Sequence, residues 1–207
     1  MTPATHTEPG TDAAVGLLLA AGAGRRMGGP KALLHAGDGT SFLDRAVAAL
    51  LGGGCAEVVV VLGAAADRAR ELLSRDDRVR TMVAADWDEG MGASLRAGLR
   101  ALAGSGAEVA VVGLVDLPDV GESVVERVLG CGSGPGRLVR ATYDGRPGHP
   151  VVLGREHWAG VAAQVAGSRH RDHGARDYFR AHPPVACECG DLASGRDVDR
   201  PEDLGLR

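Results

Sequence analysis

The sequence predicts an α/β fold, a mainly parallel, Rossmann-like sheet flanked by helices. Val15 to Ala20, Ala56 to Leu62 and Glu108 to Val115 are nearly continuous apolar runs, the pattern of strands buried on both faces. Segments with apolar residues at helical spacing lie between these runs, so strands and helices alternate. The chain has 207 residues, 44% of them hydrophobic, which suits one domain around a single core.

Residues 1–14 form a polar leader, expected to be disordered, and residues 15–207 are expected to form the domain. The leader lacks the cationic and apolar segments of a secretory signal. After the first strand, a helix is expected over Ser41 to Leu51, with the Ser41 hydroxyl capping its first turn. The second strand leads to a helix at Asp67 to Leu73 and then to one beginning at Ser94, again read as a cap, and running to Leu102. Beyond the third strand the pattern loosens. A helix at Glu122 to Leu129 precedes a glycine-rich surface loop, Gly130 to Gly136. Strands Leu138 to Tyr143 and Val151 to Leu153, joined through a turn at Asp144-Gly145, make a small β excursion. Helices follow around Glu156 to Val165 and Ala175 to Ala181, with no internal repeat and no linker long enough to separate a second domain.

Composition removes several classes of function. Lys and Arg number 23 against 27 Asp and Glu, without a dominant run of either sign, so no nucleic-acid footprint is visible. Two residues each of Phe, Trp and Tyr leave little material for base stacking. The apolar stretches break within about ten residues, short of the roughly 20 that cross a bilayer, so no membrane span and a cytoplasmic location are expected. Cys55, Cys131, Cys187 and Cys189 do not form a disulfide framework in a chain of this length, and a reducing compartment fits them. Cys187-Glu188-Cys189 has one intervening residue where structural zinc sites use two to four, so it reads as two strand residues sharing a face.

The segment richest in chemistry runs from Leu19 to Lys31. A buried strand enters a glycine-rich loop whose amides lie at the carboxyl edge of the sheet, where open α/β sheets bind ligands. Successive amides there can form an anion nest, and Arg26 and Lys31 add positive charge, an arrangement suited to a nucleoside triphosphate. The Walker loop fails on spacing, because Lys31 follows Pro30 and precedes Ala32. The dinucleotide fingerprint fits poorly, with three residues between Gly24 and Gly28 where two are needed. Asp116 ends its apolar strand, with Pro118 stopping continuation, so its carboxylate belongs at the same sheet edge, although capping of the next segment is the alternative.

Leu19-Ala20-Ala21-Gly22-Ala-Gly24-Arg-Arg26-Met-Gly28-Gly-Pro-Lys31 resembles the signature of the MobA-like nucleotidyltransferases, above all the molybdenum cofactor cytidylyltransferase group. Ala20-Ala21 stands where guanylyl-preferring members usually carry Gly-Gly, so the resemblance favours CTP. Further motifs follow in the family's order. Trp87 to Leu95, with Gly90, Met91 and Ser94, is similar to the loop and helix start that contact base and ribose. Asp116 resembles the aspartate holding a catalytic Mg2+, and Asp199, in Asp197-Val-Asp199-x-Pro201, resembles a second metal carboxylate, though it also reads as a helix cap. Gly148-His149-Pro150 resembles the acceptor-side element, and His149 could bind an acceptor phosphate or pack in an exposed turn.

The resemblance covers about residues 15 to 204 and implies a single nucleotidyltransferase domain with one cleft for both substrates. It implies nucleotidyl transfer to a phosphorylated acceptor, molybdopterin cofactor, with Arg26, Lys31 and Asp116 as the catalytic groups and a molybdoenzyme or its chaperone as a further partner. Two departures bear on this. Arg171-Asp172-His173-Gly174-Ala175-Arg176 has arginine in place of the family's first glycine, and Ala84-Ala85 precedes Asp86-Trp87 where an asparagine is common. His170 and His173, near Asp172 and among arginines, read as a solvated surface rather than a metal pair. The alternatives are a guanylyl or sugar-phosphate nucleotidyltransferase, an NAD(P)-dependent oxidoreductase using the glycine loop for pyrophosphate, and an inactive nucleotide-binding partner.

Overall fold

The computed structural model describes residues 14–167 and 174–205. Seven strands form one sheet, in the order β3-β2-β1-β4-β6-β5-β7. The strands are β1 Ala14–Ala20, β2 Glu57–Leu62, β3 Val79–Val83, β4 Val109–Leu114, β5 Leu138–Tyr143, β6 Arg146–Gly154 and β7 Val185–Glu188. The helices are α1 Phe42–Gly52, α2 Ala66–Leu72, α3 Met91–Ala103, α4 Glu122–Gly130, α5 Arg155–Gly167 and α6 Arg176–Ala181.

β1, β2, β3 and β4 run parallel, with Leu17 level with Val59 on one side and Val112 on the other. The apolar runs are continuous because both faces are covered. Leu18, Val60 and Val111 pack under Leu43 and Val47 of α1 and Val124 of α4. Leu17, Val61 and Val112 pack under Leu95 and Leu99 of α3 and Trp158 of α5. Burying an aliphatic side chain of this size contributes about 1.5–3 kcal/mol, so this double layer rigidly fixes the strand ends that carry the candidate site. Among the described residues no helix is long and apolar enough to cross a membrane.

Some expectations hold and others need correcting. The β excursion between Leu138 and Leu153 joins the main sheet, because β6 pairs antiparallel with β4, and β5 with β6. Its turn falls at Asp144 and Gly145, both at positive φ. Ser41 caps α1 by accepting from the Asp44 amide. Ser94 caps nothing, because α3 begins at Met91 after Gly90, and Ser94 is buried in its first turn. The four cysteines are not all reduced: Cys131, just after α4, is bonded to Cys187 of β7 across a sequence separation of 56. Cys187 and Cys189 are both buried while Glu188 between them is exposed, the alternation of a strand. Ala14, expected as the last residue of the leader, is the first of β1; the rest of the leader and His170 to His173 lie outside the described residues.

Candidate active site at the carboxyl edge of the sheet

The strand ends open into a cleft of about 550 Å³, with Leu19, Gly22, Arg26, Lys31, Asp116 and Asp199 among its lining residues. All the residues singled out for nucleotide and metal binding lie here: Ala20, Ala21, Gly24, Gly90, Met91 and Ser94 line it as well. One polar cavity at the end of a rigid parallel sheet is where this architecture places ligands.

The loop after β1 is shaped by Gly24. Its φ is +58°, and its carbonyl accepts from the amides of Met27 at 2.9 Å and Gly29 at 3.2 Å. A Cβ at this position would overlap the Gly29 carbonyl oxygen, so glycine is required. These bonds close the second half of the loop and leave Gly22 to Arg26 along the cleft wall. A short 3-10 turn beginning at Lys31 then turns that side chain inward.

Lys31 Nζ donates to Asp116 Oδ2 at 2.8 Å and to Asp199 Oδ1 at 2.9 Å, and Arg26 donates to Asp199 Oδ2 at 2.8 Å. Four groups separated by up to 173 positions thus share one network. The Lys31 side chain is 15% exposed and that of Asp116 18%, against 75% for Arg26. Burial acts to lower the Lys31 pKa, yet the paired carboxylates outweigh it and raise the ammonium above its ordinary value. Hydrogen bonds from Arg26 and Lys31 pull Asp199 down to about 2. Lys31 and Asp199 are therefore charged at neutral pH.

Asp199 reaches Asp116 because the late segment is laid beside β4: the Val198 amide donates to the Asp116 carbonyl at 2.9 Å. The capping alternative for Asp199 belongs to another residue. Asp203 accepts from the amides of Asp199 and Arg200, which leaves the Asp199 carboxylate directed into the cleft. Asp116 Oδ1 is buried without a hydrogen-bond partner among the described residues. An orphaned carboxylate oxygen beside a second carboxylate suits a hard divalent cation, which takes one or two such ligands together with phosphate oxygens and water.

The acceptor-side residues are placed differently. Gly148, His149 and Pro150 lie in the first half of β6, but none of them lines the cleft; His149 and Pro150 border a small apolar cavity with Leu114 and Leu117. Gly148 is glycine for a packing reason, since a Cβ would strike the Tyr143 ring, whose hydroxyl donates to the His149 carbonyl at 2.6 Å. His149 is half-buried rather than exposed, and burial followed by the nearby Arg140 charge pushes its pKa down to about 4. Ala23, Arg25, Trp87, Asp88, Leu114, Val115 and Asp197 complete the cleft wall. Trp87, Asp88 and Asp197 fall in motifs already singled out, and Leu114 ends β4 two positions before Asp116.

Comparison with known proteins agrees with this fold. The model of the MobA-like NTP transferase domain matches residues 16–185. A relative from Paenarthrobacter nicotinovorans, "Nicotine blue oxidoreductase", is 40% identical over 201 residues, covering 91% of this chain and 93% of its own. The crystal structure of Rv0371c from Mycobacterium tuberculosis H37Rv superposes with a TM-score of 0.73 at 25% identity, covering 94% of this chain and 96% of that one. That protein has also been solved in complex with manganese. A nucleotidyl transferase from Methanothermobacter shares the fold at a TM-score of 0.75 and 20% identity, with 93% and 94% of the chains covered.

Proposed function

We propose, from the premise that this chain belongs to the MobA-like NTP transferase family, that it transfers a nucleoside monophosphate from an NTP, CTP in preference, to a phosphorylated acceptor of the molybdopterin type. An acceptor phosphate oxygen attacks the α-phosphorus, the bond from that phosphorus to the bridging oxygen breaks, and pyrophosphate leaves with the electron pair. The observation that carries this reading is the single ammonium of Lys31 held on both Asp116 and Asp199 beside the Gly22 loop.

The protein's work is alignment and charge neutralisation, not covalent chemistry. The Gly22 to Arg26 backbone cradles the polyphosphate, while Arg26 and Lys31 offset the charge that develops on the leaving pyrophosphate. Asp116 and Asp199 would hold Mg2+, which supplies Lewis-acid polarisation of the phosphate oxygens when bound. Gly90, Met91 and Ser94 at the start of α3 line the part of the cleft suited to base and ribose. A pyrophosphate-release assay with Mg2+, each of the four NTPs and a panel of phosphorylated acceptors tests the reading. Release with CTP and a pterin phosphate supports it; no release in any combination overturns it in favour of a binding-only protein.

A second reading, an NAD(P)-dependent reductase, is favoured by the name of the 40% identical relative. The local structure gives it less support. A dinucleotide site takes its ribose carboxylate from the end of the second strand, and β2 here runs into Gly63-Ala64-Ala65. NADPH oxidation with nicotine blue as acceptor, without pyrophosphate release from any NTP, would decide for the reductase.

A further inference from the structure

We propose that Lys31 is a placeholder cation. Its ammonium holds the oxygens of Asp116 and Asp199 that a divalent metal ion would bridge, so the pair discriminates against the free ion and takes up metal that arrives with a polyphosphate. The inference rests on the transferase reading, which supplies the polyphosphate, and adds to it a selectivity set by one side chain.

The carboxylate oxygens of the two aspartates are accounted for one by one. Lys31 Nζ donates to Asp116 Oδ2 at 2.8 Å and to Asp199 Oδ1 at 2.9 Å. Arg26 donates to Asp199 Oδ2 at 2.8 Å. The remaining oxygen, Asp116 Oδ1, has no partner among the described residues, but it is buried. An ion arriving from solvent therefore meets no carboxylate oxygen of this pair that is both accessible and without a cation on it. Oxygens that share one nitrogen are neighbours, and neighbouring oxygens are what a hard cation bridging two carboxylates requires. Lys31 and the metal thus compete for the same oxygens.

The competition runs differently for a free ion and for one carried by phosphate. The Lys31 side chain is 15% exposed, against 75% for that of Arg26. A free ion has to drive Nζ off both carboxylates and leave it half-buried, without a counter-ion and repelled by a dication. A metal-bound polyphosphate brings the anion that Nζ would otherwise lack. Lys31 lines the same cleft as the Gly22 to Arg26 backbone, and its flexible four-carbon stem lets Nζ pass from carboxylate to phosphate oxygens. Every charge then keeps a partner. By linkage, metal and nucleotide tighten each other's binding by the same factor, and Lys31 supplies part of that coupling. Arg26 bonds one aspartate of the pair, from the exposed side, and contributes less to the discrimination.

Mn2+ is the probe, titrated alone into the full chain with the free ion read by electron paramagnetic resonance, so that neither nucleotide nor turnover enters. Lys31→Met and Lys31→Gln, which remove the charge, should each bind Mn2+ at least tenfold more tightly than the wild type. Lys31→Arg keeps a cation and should stay within threefold of the wild type, and Arg26→Gln should gain less than Lys31→Met. Adding Asp116→Asn to Lys31→Met should erase the gain. The wild type should bind the Mn2+–CTP complex at least tenfold more tightly than Mn2+, a preference that shrinks at least fivefold in Lys31→Met.

Mn2+ affinity at or below the wild-type level in both uncharged variants, a gain that survives Asp116→Asn, or an undiminished preference for the complex would overturn the proposal. A gain in Lys31→Arg as large as in Lys31→Met would also overturn it, by making the effect one of size rather than charge. Lys31→Gln can still hydrogen-bond the carboxylates, so it keeps the test informative if Lys31→Met fails to fold. Failure of the transferase reading appears differently, as the same Mn2+ gain in a protein that binds no NTP and releases no pyrophosphate.

Discussion

Lys31→Ala removes a group that touches both aspartates, at 2.8 and 2.9 Å, and leaves Asp199 with the Arg26 bond on its Oδ2. A preorganised electrostatic donor of this kind contributes about 2.7–4 kcal/mol to the transition state, so kcat should fall by a factor on the order of 10² to 10³. The folded state should lose much less. The pairs are partly open to solvent, and screened ion pairs contribute about 1 kcal/mol or less, a shift of a few degrees in Tm for a chain of this size. Lys31→Arg keeps the charge but brings a wider planar fork, and should restore only a fraction of the rate. The assay is pyrophosphate release at saturating NTP, paired with a thermal melt of the same preparation. Turnover within threefold of wild type in a folded Lys31→Ala protein refutes the role argued for this side chain.

Gly24→Ala should abolish nucleotide binding measured by calorimetry and lower stability by about 1–3 kcal/mol, because the added Cβ meets the Gly29 carbonyl in a left-handed backbone; unimpaired binding would show that the loop does not need its present shape. His149 gives a pH window. Its folded pKa of about 4 lies below the ordinary 6.5, so as pH falls between these values the unfolded chain takes up a proton first and stability declines, by about 2–3 kcal/mol in total. Denaturant melts across pH 7 to 4 should show this slope in the wild type and not in His149→Gln. Reduction of Cys131–Cys187, which closes a loop of separation 56, should destabilise the fold by about 2–4 kcal/mol and lower Tm by several degrees; an unchanged melt in dithiothreitol would contradict it.

What the sequence made legible follows from what each element buries. β1, β2 and β4 are covered on both faces, so they read as unbroken apolar runs. β3 and β7 lie at the two edges of the sheet, and residues such as Arg80, Thr81 and Val185 face solvent, so neither strand carries a strong apolar signature. Ser94 suggests a cap because its hydroxyl suits that position, whereas the helix starts three residues earlier, after a glycine at φ +113°.

The glycine loop and Asp116 were legible because a strand end fixes where its next residues go. That the late Asp199 reaches the same place depends on contacts distant in sequence, among them the backbone hydrogen bond from Val198 to Asp116, which no local pattern announces. The Cys131–Cys187 bond was hidden for the same reason: two distant cysteines acquire meaning only once β7 is seen beside β5.

The central claim is that the Gly22 loop and the Asp116–Asp199 pair act on one metal-bound polyphosphate. Calorimetric titration of CTP and GTP with Mg2+, with EDTA, and into Asp116→Asn tests it most directly. The account predicts CTP binding that is lost or weakened at least tenfold in EDTA and in the variant; nucleotide affinity indifferent to both would contradict it.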